Sequence, residues 1–365
     1  MINLMINFFK IKLIFERPQK KKILLYDGET EVYLKKIYKH YSIYYNRWEQ
    51  INLYVLIYTL FKQGIFNLKI NYKLNYFNFV SPKLIISFID NLNFFDLPQL
   101  YNKATYISVQ TLLREKLYYD EIRKRFLENK KKKFKIDYLF VFSKAEEKIL
   151  KNYFDSNFFT VGNYRNNYYF NGLNFKKKDK KKIIFITTFR LIYAKQSKLL
   201  NKRFNHFIRS FNLLSLICRD LGLDLYLLSK EGIEKKKEYK KIFNNINWTY
   251  IPKVSEENTY KIINNSNFLL SDNSTLLYEA LGKYKKVLFL PSSYDFKSNY
   301  ELYKKMDNLI YLKELNYELL KKRLLKILNI NQDTWNKKIF KSIKYLMCYD
   351  PNNIKLKKTI FRYIN

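Results

Sequence analysis

SDNSTLLYEALGKYKKVLFLP, residues 271–291, is the stretch on which the reading of this chain turns. A polar cluster, Asp272-Asn273-Ser274-Thr275, precedes a helical pattern, a basic turn and the apolar run KVLFL at 286–290; just upstream lies another apolar run, NFLLS at 267–271. Strand, helix, turn and strand make a βαβ unit, which implies a parallel sheet and ligands beyond the carboxyl ends of its strands. The polar cluster is expected to cap the helix, Leu276, Leu277, Ala280 and Leu281 to pack it, and Gly282 to end it. Glu279 comes round about one turn after Ser274 and Thr275, close to the same end of the helix.

The same alternation runs through most of the chain. KILLY (22–26), LIISFI (84–89), TYISV (105–109), YLFVF (138–142) and FFTV (158–161) form a first series of strand-like runs. IIFIT (183–187), LDLYLLS (223–229), WTYI (248–251), NFLLS, KVLFL and LIYL (309–312) form a second, with helical stretches between them. The pattern predicts an α/β protein of two doubly wound, Rossmann-like domains at 20–168 and 183–330. YFNGLNFKKKDKKK at 169–182 reads as the linker and 331–365 as a helical extension.

With 365 residues, 47% of them hydrophobic, the chain can bury two cores, and 18% aromatic residues exclude a disordered protein. The formal charge of +37, from 69 basic and 32 acidic residues, would ordinarily suggest nucleic acid. Lys, Asn, Ile, Tyr and Phe are inflated together while Gly and Pro number only 7 and 6, the imprint of an AT-rich genome. Nucleic acid is therefore not expected as a partner, and an anionic membrane or a diphosphate substrate fits better. Cys218 and Cys348 stand far apart and read as core thiols of a reducing compartment. MINLMINFFKIKLIF lacks a cleavage site for a signal peptide, and INLYVLIYTLF at 51–61 is about half of a membrane span. These features predict a cytoplasmic protein, at most peripheral at the inner face of the plasma membrane. The zinc, P-loop, dinucleotide and D-x-D patterns are absent from the sequence, which predicts a metal-independent reaction without a bound cofactor.

Candidate functional residues are those at strand ends. Backbone N–H groups and the dipole of a helix N-terminus attract phosphate, so Asn273, Ser274, Thr275 and Glu279 are expected to bind a nucleotide-activated donor, with simple capping as the plainer alternative. Arg190 after IIFIT and Lys230 after LDLYLLS would neutralise a diphosphate leaving group, or else are solvated surface charges. Asp90, at the end of LIISFI, is a candidate general base on an acceptor hydroxyl, with Glu49 as its rival; Asp90 and Asn91 could equally close a turn. Gln110, Gly162, Arg165, Asn166 and Asn167 would read the acceptor or order the interdomain hinge. His40 and His206 fall in helical surroundings and are read as structural.

The arrangement of apolar strand, D-x-S-T-L-x-Y-E-A-L, G-K and apolar strand resembles the donor-side motif of glycosyltransferases of the two-Rossmann type, the GT-B fold. It is most similar to a bacterial group linked to O-antigen and capsule biosynthesis. KILLYDGE (22–29), RWEQIN (47–52), SPKLIISFIDN (81–91), TYISVQT (105–111) and VGNYRNN (161–167) carry the resemblance in the amino-terminal half. It implies transfer of a sugar from a nucleotide sugar to a glycan or lipid-linked glycan acceptor. A polyol-phosphate transferase of the teichoic-acid type or a nucleotide-sugar epimerase would share the fold. The chain departs from the pattern at Gln110-Thr111-Leu112, where Gln-Asn-Gly is expected, and at Gly162-Asn163, where Gly-Ser is expected. The lost glycine keeps a catalytically degenerate scaffold among the alternatives.

Overall fold

The structure, a computed structural model, describes residues 11–47, 49–112, 114, 116–169, 182–191, 197–244, 246–272, 274–291 and 308–364. Nearly all of the expected linker at 169–182 lies outside these residues, as does Asn273. Thirteen strands are described: β1 (Lys12–Ile14), β2 (Ile23–Tyr26), β3 (Tyr41–Tyr44), β4 (Gln50–Asn52), β5 (Leu84–Ser87), β6 (Thr105–Val109), β7 (Phe134–Val141), β8 (Phe154–Thr160), β9 (Lys182–Ile186), β10 (Asp224–Leu228), β11 (Thr249–Ile251), β12 (Phe268–Ser271) and β13 (Lys286–Phe289). They form two parallel sheets, ordered β3-β2-β5-β6-β7-β8 and β11-β10-β9-β12-β13, with β1 and β4 paired separately.

Each sheet reverses its winding once. The first does so between β2 and β5, the second between β9 and β12, and at such a switch point the loops leave in opposite directions and open a crevice. Strands buried on both faces explain the unbroken apolar runs: all four residues of β2, β5, β12 and β13 are buried. The edge strand β3, YSIY, is only partly buried and was not among the expected runs. β7 begins four residues earlier than YLFVF because Lys135 and Asp137 point outward and interrupt the hydrophobic pattern. LIYL contributes only a single bridge, Tyr311 to Phe289.

The terminal segment serves both sheets. Its helix Gln332–Leu346 sends Trp335, Ile339, Ile343 and Leu346 into the core of the second sheet, whereas the helix Ile354–Phe361 sends Leu356 and Ile360 into the core of the first. Two glycines admit this return. A Cβ on Gly282 would lie 3.0 Å from Met347 Cγ, and Gly282 falls inside the helix Thr275–Gly282 rather than beyond it. The positive φ that follows that helix belongs instead to Tyr284, at 58°. Gly162 has φ +80°, and a Cβ there would come within 1.9 Å of the Cys348 carbonyl oxygen. Backbone approach of the terminal segment therefore accounts for its need of a glycine. Gly162→Ala is expected to lower unfolding stability by about 2 kcal/mol or more, through a forced φ and a backbone clash together. Urea unfolding of the two proteins measures it.

Candidate functional site

Three strand ends of the second sheet build the site. After β9, Thr187 Oγ1 accepts the Phe189 N–H at 3.1 Å, turning the chain toward Arg190, and Glu231 Oε2 fixes the next residue by accepting the Leu191 N–H at 3.0 Å. After β10, Ser229 Oγ accepts the Glu231 N–H at 3.0 Å and exposes Lys230. Beyond β12, Ser274 is the N-cap residue of the helix Thr275–Gly282, but its hydroxyl makes no capping bond. Asp272 Oδ1 accepts from Thr188 Oγ1 at 3.0 Å and so joins the β9 and β12 loops.

These elements enclose a cleft of about 310 Å³, within the range of small-molecule sites. Arg190, Lys230, Ser274, Thr275 and Glu279 all line it, joined by Lys253, Glu256 and Tyr260, and by Leu112 and Arg165 from the first half of the chain. Four cations thus face two carboxyls. Desolvation, then the neighbouring Arg190, push the Lys230 ammonium below its ordinary pKa. Among the described residues Arg165 Nε is buried without a hydrogen-bond partner, while its other nitrogens bond Glu256 Oε1 and Thr111 O, both at 3.2 Å. Among the described residues no group of three or more His, Cys, Asp or Glu could hold a metal ion.

Glu279 is 1% exposed. Its Oε1 accepts from Asn163 Nδ2 at 2.8 Å and its Oε2 from the Tyr260 hydroxyl, so both carboxyl oxygens are engaged within the protein. Burial pushes its pKa up to about 7, against the opposing influence of Arg165 and the Tyr260 hydrogen bond.

The run Arg165-Asn166-Asn167 divides its side chains among three segments. Arg165 reaches the cleft, Asn166 Nδ2 bonds the Glu279 carbonyl at 3.4 Å, and Asn167 holds the terminal segment through Asn353 Oδ1 at 3.0 Å and the Asp350 N–H at 3.1 Å. Asn163, the residue that replaces the expected serine, bonds Thr111 O as well as Glu279. Gln110 Oε1 accepts the Phe142 N–H at 3.0 Å and ties β6 to β7.

The other candidates gather at the carboxyl edge of the first sheet, outside the cleft lining. Asp90 is buried and held by Arg114, whose Nε lies 2.9 Å from Oδ2 and whose second nitrogen meets Oδ1. Asn91 caps a short helix by accepting the Asn93 N–H at 3.1 Å. Glu49 is exposed. His206 Nε2 meets the Pro291 carbonyl at 2.6 Å and His40 packs edge-on against Tyr38.

Several functional-looking residues escape sequence reasoning. Lys253, Glu256 and Tyr260 carry no motif signal, and only folding brings them to the cleft. Asp27, in KILLYDGE, is not singled out by the sequence, yet it is buried at the first switch point with φ 92° and ψ 110°, a conformation costly for a non-glycine residue. Glu146 is fully buried, with the Tyr119 hydroxyl on one of its oxygens. Burial pushes its pKa, too, to about 7.

Raised carboxyl pKa values have a definite sign. Between the ordinary value of 4.5 and about 7 the unfolded chain has lost these protons while the folded chain keeps them, so stability falls as pH rises through that window. The slope is at most about 1.4 kcal/mol per pH unit for each group. Glu279→Gln and Glu146→Gln, which imitate the protonated form, are each expected to flatten the fall. Denaturant midpoints measured from pH 4.5 to 7 check it, and a slope unchanged in both variants would refute the assignment.

Comparison with known proteins places this geometry. The S. aureus MnaA–UDP co-structure matches with a TM-score of 0.54 and 14% identity over 94% of this chain and 96% of that one. A UDP-N-acetylglucosamine 2-epimerase matches with a TM-score of 0.54 and 13% identity over 95% and 97%. The wall teichoic acid polymerase TagF matches with a TM-score of 0.50 and 14% identity over 95% and 90%. At such identities the likeness is one of fold, and it agrees with the two Rossmann-like sheets of a GT-B architecture. No curated protein sequence matches. The sequence profile of a family described as "putative O-antigen biosynthesis protein" matches residues 107–364, more than half of the chain, and the protein belongs to that family.

Proposed function

We propose that the protein is a GT-B-type glycosyltransferase that passes a sugar from a nucleotide sugar to a glycan or lipid-linked glycan acceptor of O-antigen or capsule synthesis, in the cytoplasm. The observation that supports this most is the convergence of Arg165, Arg190, Lys230 and Lys253 on one cleft at the β9/β12 switch point, beside the hydroxyls of Ser274 and Thr275. When the glycosidic bond to the donor breaks, the nucleoside diphosphate leaves with both bonding electrons. Fixed cations stabilise that charge most where the walls exclude water. In this reading they act without a metal ion.

Ser274, Thr275 and the adjoining helix amides hold phosphate, and Glu279 receives ribose or sugar hydroxyls while Asn163 and Tyr260 keep it in place. Asn273 belongs to the same donor loop. On the acceptor side, Asp90 is the first candidate base and Glu49 the second. Gln110, Asn91, Gly162, Arg165, Asn166 and Asn167 shape the acceptor wall and the hinge.

A specific observation favours a second reading, a scaffold without turnover. Leu112, in the cleft wall, stands where a glycine could let the backbone approach a ligand, beside Thr111, which stands where an asparagine is expected. The Thr111 hydroxyl donates to Phe88 O at 2.8 Å, and its carbonyl is taken by Asn163 and Arg165.

A thermal-shift series with UDP, GDP, CMP, CDP, dTDP and their sugars separates these readings. One nucleotide is expected to stabilise the protein, and Arg190→Ala with Lys230→Ala to weaken its binding about tenfold or more, since a charge-assisted hydrogen bond contributes roughly 1.5 to 3 kcal/mol. Asp90→Asn is expected to slow transfer at unchanged nucleotide affinity. A response to CDP compounds alone would indicate polyol-phosphate transfer, and donor turnover without acceptor an epimerase. No shift with any nucleotide would leave the scaffold.

A further inference from the structure

The helices Leu53–Gln63 and Leu68–Val80 form a hairpin beside the first sheet. The first turns Val55 and Thr59 inward, so Tyr54, Ile57 and Phe61, spaced three and four residues apart, fall on the outward side. Phe61 is 89% exposed, and in the turn Ile65 is 72% and Phe66 82% exposed; Ile70 extends the same apolar stripe. Scattered apolar residues on a surface need no explanation, but a continuous stripe of this size on a soluble face marks an interaction site.

The charge around it selects the partner. From Gln50 to Ile89 the sequence contains no Asp or Glu, but it contains Lys62, Lys69, Lys73 and Lys83. Lys62 and Lys69 are exposed on the hairpin, and Lys62 Nζ bonds the Tyr58 hydroxyl at 2.9 Å. The Arg17 guanidinium lies 5.3 Å from the centre of the Phe79 ring, which in turn packs against Tyr54 and Tyr58. Bulky apolar side chains rimmed by cations, with no carboxylate in forty successive residues, match the headgroup and acyl boundary of an anionic bilayer. A second copy of the chain would bring its own lysines against these, and nucleic acid would leave the phenylalanines without apolar cover. Among the described residues no helix is long and apolar enough to cross a membrane, so contact through this hairpin would be peripheral.

We propose that this hairpin docks the protein on an anionic phospholipid surface, with Phe61, Ile65 and Phe66 entering the interface and Lys62, Lys69 and Arg17 meeting lipid phosphates. The inference is independent of the donor chemistry and adds the face by which a lipid-linked acceptor would be approached.

Co-sedimentation of the full chain with vesicles of phosphatidylcholine alone, and of phosphatidylcholine mixed with phosphatidylglycerol, tests it. Binding is expected to the mixed vesicles. It should fall about tenfold or more both in Phe61→Glu with Phe66→Glu and in Lys62→Glu with Lys69→Glu, because apolar insertion and charge act together in such anchors. All four positions are exposed, and an unchanged melting temperature and nucleotide response would show that the variants fold and that the cleft is intact. Absence of wild-type binding would overturn the proposal. So would equal binding by the phenylalanine variant, which would assign attraction to the overall charge. Sedimentation showing a dimer that the phenylalanine variant dissociates would give the face to a second copy instead.

Discussion

The carboxyl group of Glu279 is the point on which the two halves of this protein depend. It is carried by the helix that follows β12, yet one of its oxygens is bonded by Asn163, which follows β8. The other is bonded by Tyr260, and Arg165 stands close enough to favour the ionised form. A carboxyl buried to this degree must be hydrogen-bonded, protonated or both, and here the partners come from distant parts of the chain. Separation of the halves would take the Asn163 hydrogen bond from one of its oxygens. The network therefore fixes how the helix after β12 meets the first sheet, and the cleft beside it inherits its shape.

The placement of the cleft follows from topology. Because β9 lies between β10 and β12, the loops after these strands diverge and expose backbone and side chains at one edge. Short hydroxyl turns at Thr187 and Ser229 give each loop a defined exit, so Arg190 and Lys230 are presented close to the ends of β9 and β10. Gathering like charges in a partly desolvated space is costly, as the lowered pKa of Lys230 records. Proteins sustain that cost where an anion relieves it.

The terminal segment explains features that a motif search assigns to ligands. Asn167 bonds Asn353 and Asp350, 186 and 183 positions away in sequence, and Gly162 packs against the backbone of Cys348. A chain that crosses back from the second core to the first needs close backbone approach at the crossing, and a glycine and an asparagine provide it. Close packing of one segment against another and recognition of a ligand thus draw on the same residue types.

The sequence by itself determined the α/β class, the two sheets and most of their strands, because strands buried on both faces must be apolar and strand ends must turn. It also pointed to Arg190, Lys230, Ser274, Thr275 and Glu279, which do line one cleft. Strands that are edge-placed or one-sided, such as β3 and the start of β7, were not legible, since their outward residues are polar. Only the tertiary structure decided that Asp90 is engaged by Arg114, that Asn163 and Tyr260 meet Glu279, and that Asp27 is buried in a left-handed conformation. These are pairings between residues far apart in the chain. Local pattern reports which face of an element is buried, but not which distant side chain it will meet there.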